Sequence, residues 1–306
     1  MFLVILLYAL FASVFTISKI GLEYSDPLFF VGSRMMLAGL ILLAFQFFYN
    51  RESFSVKKEH FFRIFRLALF NIYLTNVFEF WGLKHLTSFK TCFIYSLSPF
   101  VSALLSYMIF TERLTLKKWI GLIVGFLGFI PILLSQTALE EETGHLFYLS
   151  FAELAVIGAV VSSVYGWILL SQLVKENGYS PFMANGLSMA LGGAMSLFHS
   201  SLIENWNPSP VSSWMPFLSC TFLLIVISNI ICYNLYGELL KKYSPTFMSV
   251  AGFTTAFFSA LFGWIYLGEV ITWPFYLSAM IVFCGLLLFY RQEIEDSRNK
   301  TIENFI

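Results

Sequence analysis

The chain has 306 residues, of which 58% are hydrophobic and 12% charged, and its 18 basic and 18 acidic side chains cancel. A water-soluble domain carries about 25% charged residues, so most of this surface cannot face water. A neutral chain also lacks the basic footprint of a nucleic-acid binder.

In chain order, ten apolar segments lie near residues 2–22, 27–49, 61–83, 88–110, 117–136, 148–173, 181–203, 215–240, 245–267 and 272–290. Each is long enough for a bilayer core, which takes about 20 helical residues. A segment in lipid must satisfy its own backbone polar groups, so each is predicted to be a helix. A β-barrel would show short alternating stretches, whereas these runs are continuous. The first segment lacks the basic leader and small-residue cleavage site of a secretory signal and reads as a retained span. The breaks carry loop chemistry: Ser25-Asp26-Pro27, Asn50-Arg51-Glu52, Lys117-Lys118, Glu140-Glu141-Glu142, Lys175-Glu176-Asn177-Gly178 and 205–210.

Placing the N-terminus in the cytoplasm puts 14 of the 18 basic residues inside. Lys19, Lys84 and Lys90 then lie outside, close to helix ends, and Arg34 lies within a segment. Short cytoplasmic loops collect Lys and Arg, so both termini are predicted to be cytoplasmic.

The two halves repeat each other. Laying Glu269 on Glu112 gives an offset of 157 and puts Lys241 on Lys84. Ala12 to Phe15 matches Ser162 to Tyr165 at an offset of 150, and Pro27 matches Pro181 at 154, so loop lengths differ between the halves. Each half has five segments, an odd number, so the second must enter the membrane inverted. The predicted fold is an all-α membrane protein of ten transmembrane helices in two inverted five-helix repeats. Residues 1–136 form the first repeat, 137–147 an outer linker, 148–290 the second repeat, and 291–306 a charged cytoplasmic tail. Inverted repeats are the ground plan of many secondary transporters.

The quoted motifs carry a family resemblance over nearly the whole chain. Ser98-Pro99-Phe100, Thr111-Glu112-Arg113-Leu114 and Trp119-Ile120-Gly121 resemble the drug/metabolite transporter superfamily, in its ten-helix branch with two EamA-type domains. The second copy keeps Gly268-Glu269 but has Ala256 where the first has Pro99. The resemblance implies substrate:product exchange, or proton-coupled export, of a small metabolite by alternating access in the inner membrane. The phenylalanine-rich chain is similar to the S-adenosylmethionine transporters of obligate intracellular bacteria. That implies exchange of S-adenosylmethionine for S-adenosylhomocysteine, with proton-coupled export of amino acids or purine-like metabolites as the alternative.

Ionisable groups within a membrane are expensive and are paired or functional. The candidates are Arg34, Glu79, Glu153 and Glu238. At about 1.5 Å per residue, Arg34 lies roughly 10 Å, and Glu79 and Glu153 roughly 7 Å, from the outer helix ends. One reading pairs Arg34 with Glu79 or Glu153 as a structural tie. Another gives Arg34 a substrate carboxylate and Glu79 a substrate cation, and a third lets the side chains snorkel to lipid headgroups.

Helix 3 carries a polar stripe, Asn71, Thr75, Asn76 and Glu79, at helical spacing. Helix 8 answers with Asn229, Tyr233 and Tyr236, two of which overlie Asn76 and Glu79 at the 157 offset. Both stripes are expected to face one central cavity among helices 1, 3, 4, 6, 8 and 9; helix-to-helix hydrogen bonding is the competing role. By the family resemblance, Phe15, Tyr95, Tyr165, Trp167 and Tyr233 would line it. Aromatic walls attract organic cations and stack on purines. Pro99 is expected to interrupt helix 4, Gly121 and Gly125 to allow close helix packing, and Glu112 and Glu269 to cap hairpins.

The four cysteines are expected to be buried and reduced. The four histidines show no HExxH or clustered ligands, and no Ser/His/Asp constellation is visible, so no catalytic residue, metal or cofactor is expected. The expected partners are a small-molecule substrate and the lipid bilayer, with no nucleic acid, in a monomer or homodimer.

Overall fold

The computed structural model describes residues 2–49, 51, 56–110, 115–135, 142–207, 209–243 and 245–303. Among these residues, ten stretches are helical, long and apolar enough to cross a membrane: α1 (Phe2–Gly21), α2 (Pro27–Tyr49), α3 (Lys58–His85), α4 (Ser88–Leu105), α5 (Leu116–Leu133), α6 (Phe151–Lys175), α7 (Pro181–Ile203), α8 (Trp214–Leu240), α9 (Phe247–Leu267) and α10 (Trp273–Tyr290). The chain is a multi-pass membrane protein. Its outer faces expose Leu40, Phe45, Phe198, Trp264 and Met280, which lipid accommodates and water does not. Thr111 to Leu114, Glu140 and Glu141 lie outside the described residues.

Local chemistry sets the helix starts. Ser180 caps α7 by accepting from the Met183 amide at 3.1 Å, with Pro181 at the first helical position. A capping box opens α6: Glu153 N donates to Ser150 Oγ at 3.1 Å and Ser150 N to Glu153 Oε2 at 2.8 Å. Between the halves the chain forms a short hairpin, in which His145–Leu146 pairs antiparallel with Leu149–Ser150. The last helix continues without interruption into the charged tail segment, to Glu303.

The inverted repeat is written into the helix seams. Helices α2 and α7 run antiparallel at very close range. A Cβ on Gly39 would fall 2.4 Å from the amide nitrogen of Ala190, and one on Gly193 would fall 2.4 Å from that of Met36. The contacts are reciprocal, since Gly39 also faces Gly186 O and Gly193 faces Gly32 O. Helices α5 and α10 make a second such seam, where Gly125 meets Gly285 and Gly121 meets the Phe289 backbone. Small residues let helices approach this closely where lipid offers no hydrophobic drive to associate. Elsewhere α3 packs on α6 as α8 packs on α1.

Irregular turns repeat as well. Wide, i→i+5 turns occupy Ala68–Leu74 in α3 and Ile225–Cys232 in α8, starting 157 residues apart. Helix α4 breaks at Ser96-Leu97 and α9 at Gly252-Phe253. Pro99 thus opens the second piece of α4, where a missing N–H is harmless, and α9 breaks at the matching place without a proline.

Two expectations about caps and cysteines need correction. Glu269 does not cap its own hairpin. Its carboxylate accepts from Ser88 N and Ser88 Oγ, both at 2.7 Å, and so caps α4 in the other half. Cys92, Cys220 and Cys232 are buried, but Cys284 is exposed on α10, where its position on the outer face meets lipid.

Candidate functional site

Between the halves lies a cavity lined by α1, α3, α4, α6, α8 and α9, with Arg34 reaching in from α2. The wide turns and helix breaks stand beside it. Thr75, Asn76 and Glu79 follow the first wide turn, and Tyr233 and Tyr236 follow the second; Tyr95 and Ser98 flank the break in α4, and Gly252 sits in that of α9. Wide turns free backbone carbonyls, and polar side chains absorb them. Thr75 Oγ1 donates to Phe70 O at 2.7 Å, Asn76 Nδ2 to Ile72 O at 2.8 Å, and Asn234 Nδ2 to Ile230 O at 2.8 Å. Such features gather at functional sites.

Arg34 is 1% exposed. Its Nη2 donates to Asn76 Oδ1 at 2.8 Å, and its guanidinium carbon lies 4.7 Å from the Phe80 ring centroid. Among the described residues, its Nε and Nη1 have no hydrogen-bond partner. Glu79 is held by Tyr95, whose hydroxyl donates to Oε2 at 2.5 Å. Among the described residues, no carboxylate comes within 4.0 Å of Arg34, so Arg34 and Glu79 share the cavity without forming an ion pair.

The other two ionisable candidates lie elsewhere. Glu153 forms a buried ion pair with Lys90 at 2.9 Å, next to its capping role. Glu238 is exposed and pairs at 2.8 Å with Lys241, just past the end of the same helix.

Aromatic rings make up much of the remaining wall. Trp167 stacks on Tyr236 with centroids 4.0 Å apart and planes 27° apart, and meets Tyr233 at 5.1 Å. Phe15 meets Tyr95 edge-on at 5.5 Å. The Tyr8 hydroxyl donates to the Met248 carbonyl, tying α1 to α9 at the cavity edge.

Of the residues expected to line the cavity, Phe15, Arg34, Asn76, Glu79, Tyr95, Trp167, Tyr233 and Tyr236 do so. Asn71, Tyr165 and Asn229 do not. Asn71 is pressed against Gly166, whose Cβ would lie 2.4 Å from its own. Asn229 lies against sulfur, its Nδ2 3.0 Å from Met35 Sδ. Both sit inside the wide turns, where an ordinary helical period no longer predicts the face. Tyr165 packs edge-on against Phe70 at 4.9 Å; its neighbours Val164 and Trp167 point inward instead. The sequence reading missed Tyr8, Phe11, Ser163, Ser228 and Thr255. Tyr8, Phe11 and Phe15, at steps of three and four, were the available signal.

The family comparison agrees with this architecture. The EamA-like transporter family matches residues 1–134 and 150–291. The chain belongs to that family. Among its EamA relatives, the S-adenosylmethionine/S-adenosylhomocysteine transporter of Chlamydia muridarum is 38% identical over 293 residues, covering 95% of this chain and 92% of that one. The protein of the same description from Chlamydia trachomatis serovar L2 is 36% identical over 303 residues, covering 99% and 92%. A solved crystal structure at 14% identity superposes with a TM-score of 0.66 over 94% of this chain and 93% of the other; at that identity it speaks for the fold alone.

Proposed function

We propose that this EamA protein is a secondary active transporter that exchanges S-adenosylmethionine for S-adenosylhomocysteine by alternating access across the cell inner membrane. The observation that carries the proposal is 38% identity, over 95% of the chain, to a transporter described by that substrate pair. The cavity chemistry supports it. Rings attract a cation through their quadrupoles by about 0.5–2 kcal/mol each and stack on flat bases. A sulfonium nucleoside uses both. Ten crossings return the chain ends to one side, and the bias of basic residues favours the cytoplasm.

Counterflow in proteoliposomes tests the proposal. Vesicles loaded with S-adenosylhomocysteine are expected to take up labelled S-adenosylmethionine several-fold faster than empty ones. Uptake indifferent to the internal substrate would point to a channel and overturn exchange.

A further inference from the structure

We infer that Arg34 and Glu79 together form a receptor for the α-amino-acid zwitterion of the transported molecule, Arg34 taking its carboxylate and Glu79 its ammonium group. The inference rests on the cavity being the transport site and names the part of the substrate that the polar end reads.

A guanidinium buried between membrane helices is expensive unless charge and hydrogen bonds compensate it. Asn76 occupies one nitrogen of Arg34 and Phe80 covers a face, but Nε and Nη1 have no hydrogen-bond partner among the described residues. That is an incomplete anion site. Glu79 is incomplete in the opposite sense: Tyr95 holds Oε2, while Oε1 has no partner among the described residues. A structural ion pair would have closed to within 4.0 Å, and this one has not. Two opposite charges, each fixed by a neutral neighbour and facing one cavity, match a ligand that brings both charges itself. Asn76 and Tyr95 supply the preorganisation that such recognition needs. The rings of Trp167 and Tyr236 line the same cavity and leave the flat part of the ligand a wall of its own.

This division has a consequence for exchange. S-adenosylmethionine and S-adenosylhomocysteine carry the same amino-acid group, and only the former carries the sulfonium. A receptor for the zwitterion holds both members of the pair.

Competition against labelled S-adenosylmethionine uptake by the wild-type protein tests the inference without relying on a variant that folds. S-adenosylhomocysteine is expected to compete within a few-fold of the substrate. Decarboxylated S-adenosylmethionine and 5′-methylthioadenosine are expected to be at least about 100-fold weaker, because a site built to bond a polar group rejects analogues that lack it. Arg34→Gln is expected to bring the substrate and its decarboxylated analogue within about 3-fold of each other, since the lost group no longer has a partner. Equal competition by the decarboxylated analogue overturns the receptor and leaves exchange standing. Absence of S-adenosylmethionine uptake strikes the exchange proposal instead. Thermal-shift titration of the purified protein with α-amino acids and their matching amines then reads the receptor alone. A preference for the amino acids supports it, and equal shifts overturn it.

Discussion

Lys90 and Glu153 show how a buried charge is made tolerable here. Their side chains are 3% and 0% exposed, 2.9 Å apart. Lys90 also donates to Ser135 O at 2.9 Å, and Glu153 caps its own helix. The pair joins α4 of one half to α6 of the other. Removing one member of such a pair leaves an uncompensated buried charge and costs about 3–5 kcal/mol. Lys90→Met alone is therefore expected to lower the unfolding midpoint sharply in detergent. Adding Glu153→Gln should recover most of the loss, because the amide keeps the cap without the charge. A single variant as stable as the parent would show that water reaches the pair. Arg34 makes the contrast: equally buried, it has an amide and a ring for company but, among the described residues, no carboxylate within 4.0 Å, which is why its neighbourhood reads as a site and that of Lys90 as a strut.

At the scale of elements, the α2/α7 seam is the tightest joint. Gly39 and Gly193 face backbone atoms at 2.4 Å from where a Cβ would sit, and backbone cannot yield as a flexible side chain does. Gly39→Ala or Gly193→Ala is expected to destabilise the protein by about 1–3 kcal/mol through overpacking. Gly158 is the control, since its Cβ would meet only the Phe78 ring at 3.3 Å. Gly158→Ala should be neutral or slightly stabilising, given alanine's helix preference of about 1 kcal/mol over glycine. Thermal unfolding of the three variants decides the matter, and equal midpoints would dismiss the seam. The seam of α2 and α7 was latent in the chain. Gly32 and Gly39 recur as Gly186 and Gly193 at the offset of Pro27 and Pro181. The wide turns left no comparable mark, and Asn71 and Asn229 were assigned to the wrong face because a change of helical period is decided by packing and by who accepts the freed carbonyls.

For the whole molecule, five crossings per half and reciprocal seams require two bundles of opposite polarity with a cavity between them. Tags on the two chain ends should then be reached from the same face of the membrane. Protease or label access from opposite faces would contradict ten crossings. The same geometry explains the cross-braced caps: Glu269 closes the start of α4, and Glu204 closes the start of α2 by accepting from the Leu28 and Phe29 amides at 2.7 and 2.8 Å. In both, a loop carboxylate of the second half meets a helix start of the first, where N–H groups are unsatisfied and the dipole favours negative charge.

Segment length and the absence of charge determined the ten spans by themselves, because lipid leaves a backbone no alternative to internal hydrogen bonds. Odd segment number and the repeated motifs likewise determined the inversion. Much of the cavity wall was legible too: Asn76, Glu79, Tyr233 and Tyr236 from the polar stripes at helical spacing, and Phe15 and Trp167 from the family resemblance. Pairing was not. That Glu153 belongs to Lys90, that Glu238 reaches the surface, and that Arg34 and Glu79 share a cavity without touching depend on distances between helices far apart in the chain. Those distances are set by how the helices pack against one another in three dimensions, a quantity that no local pattern encodes.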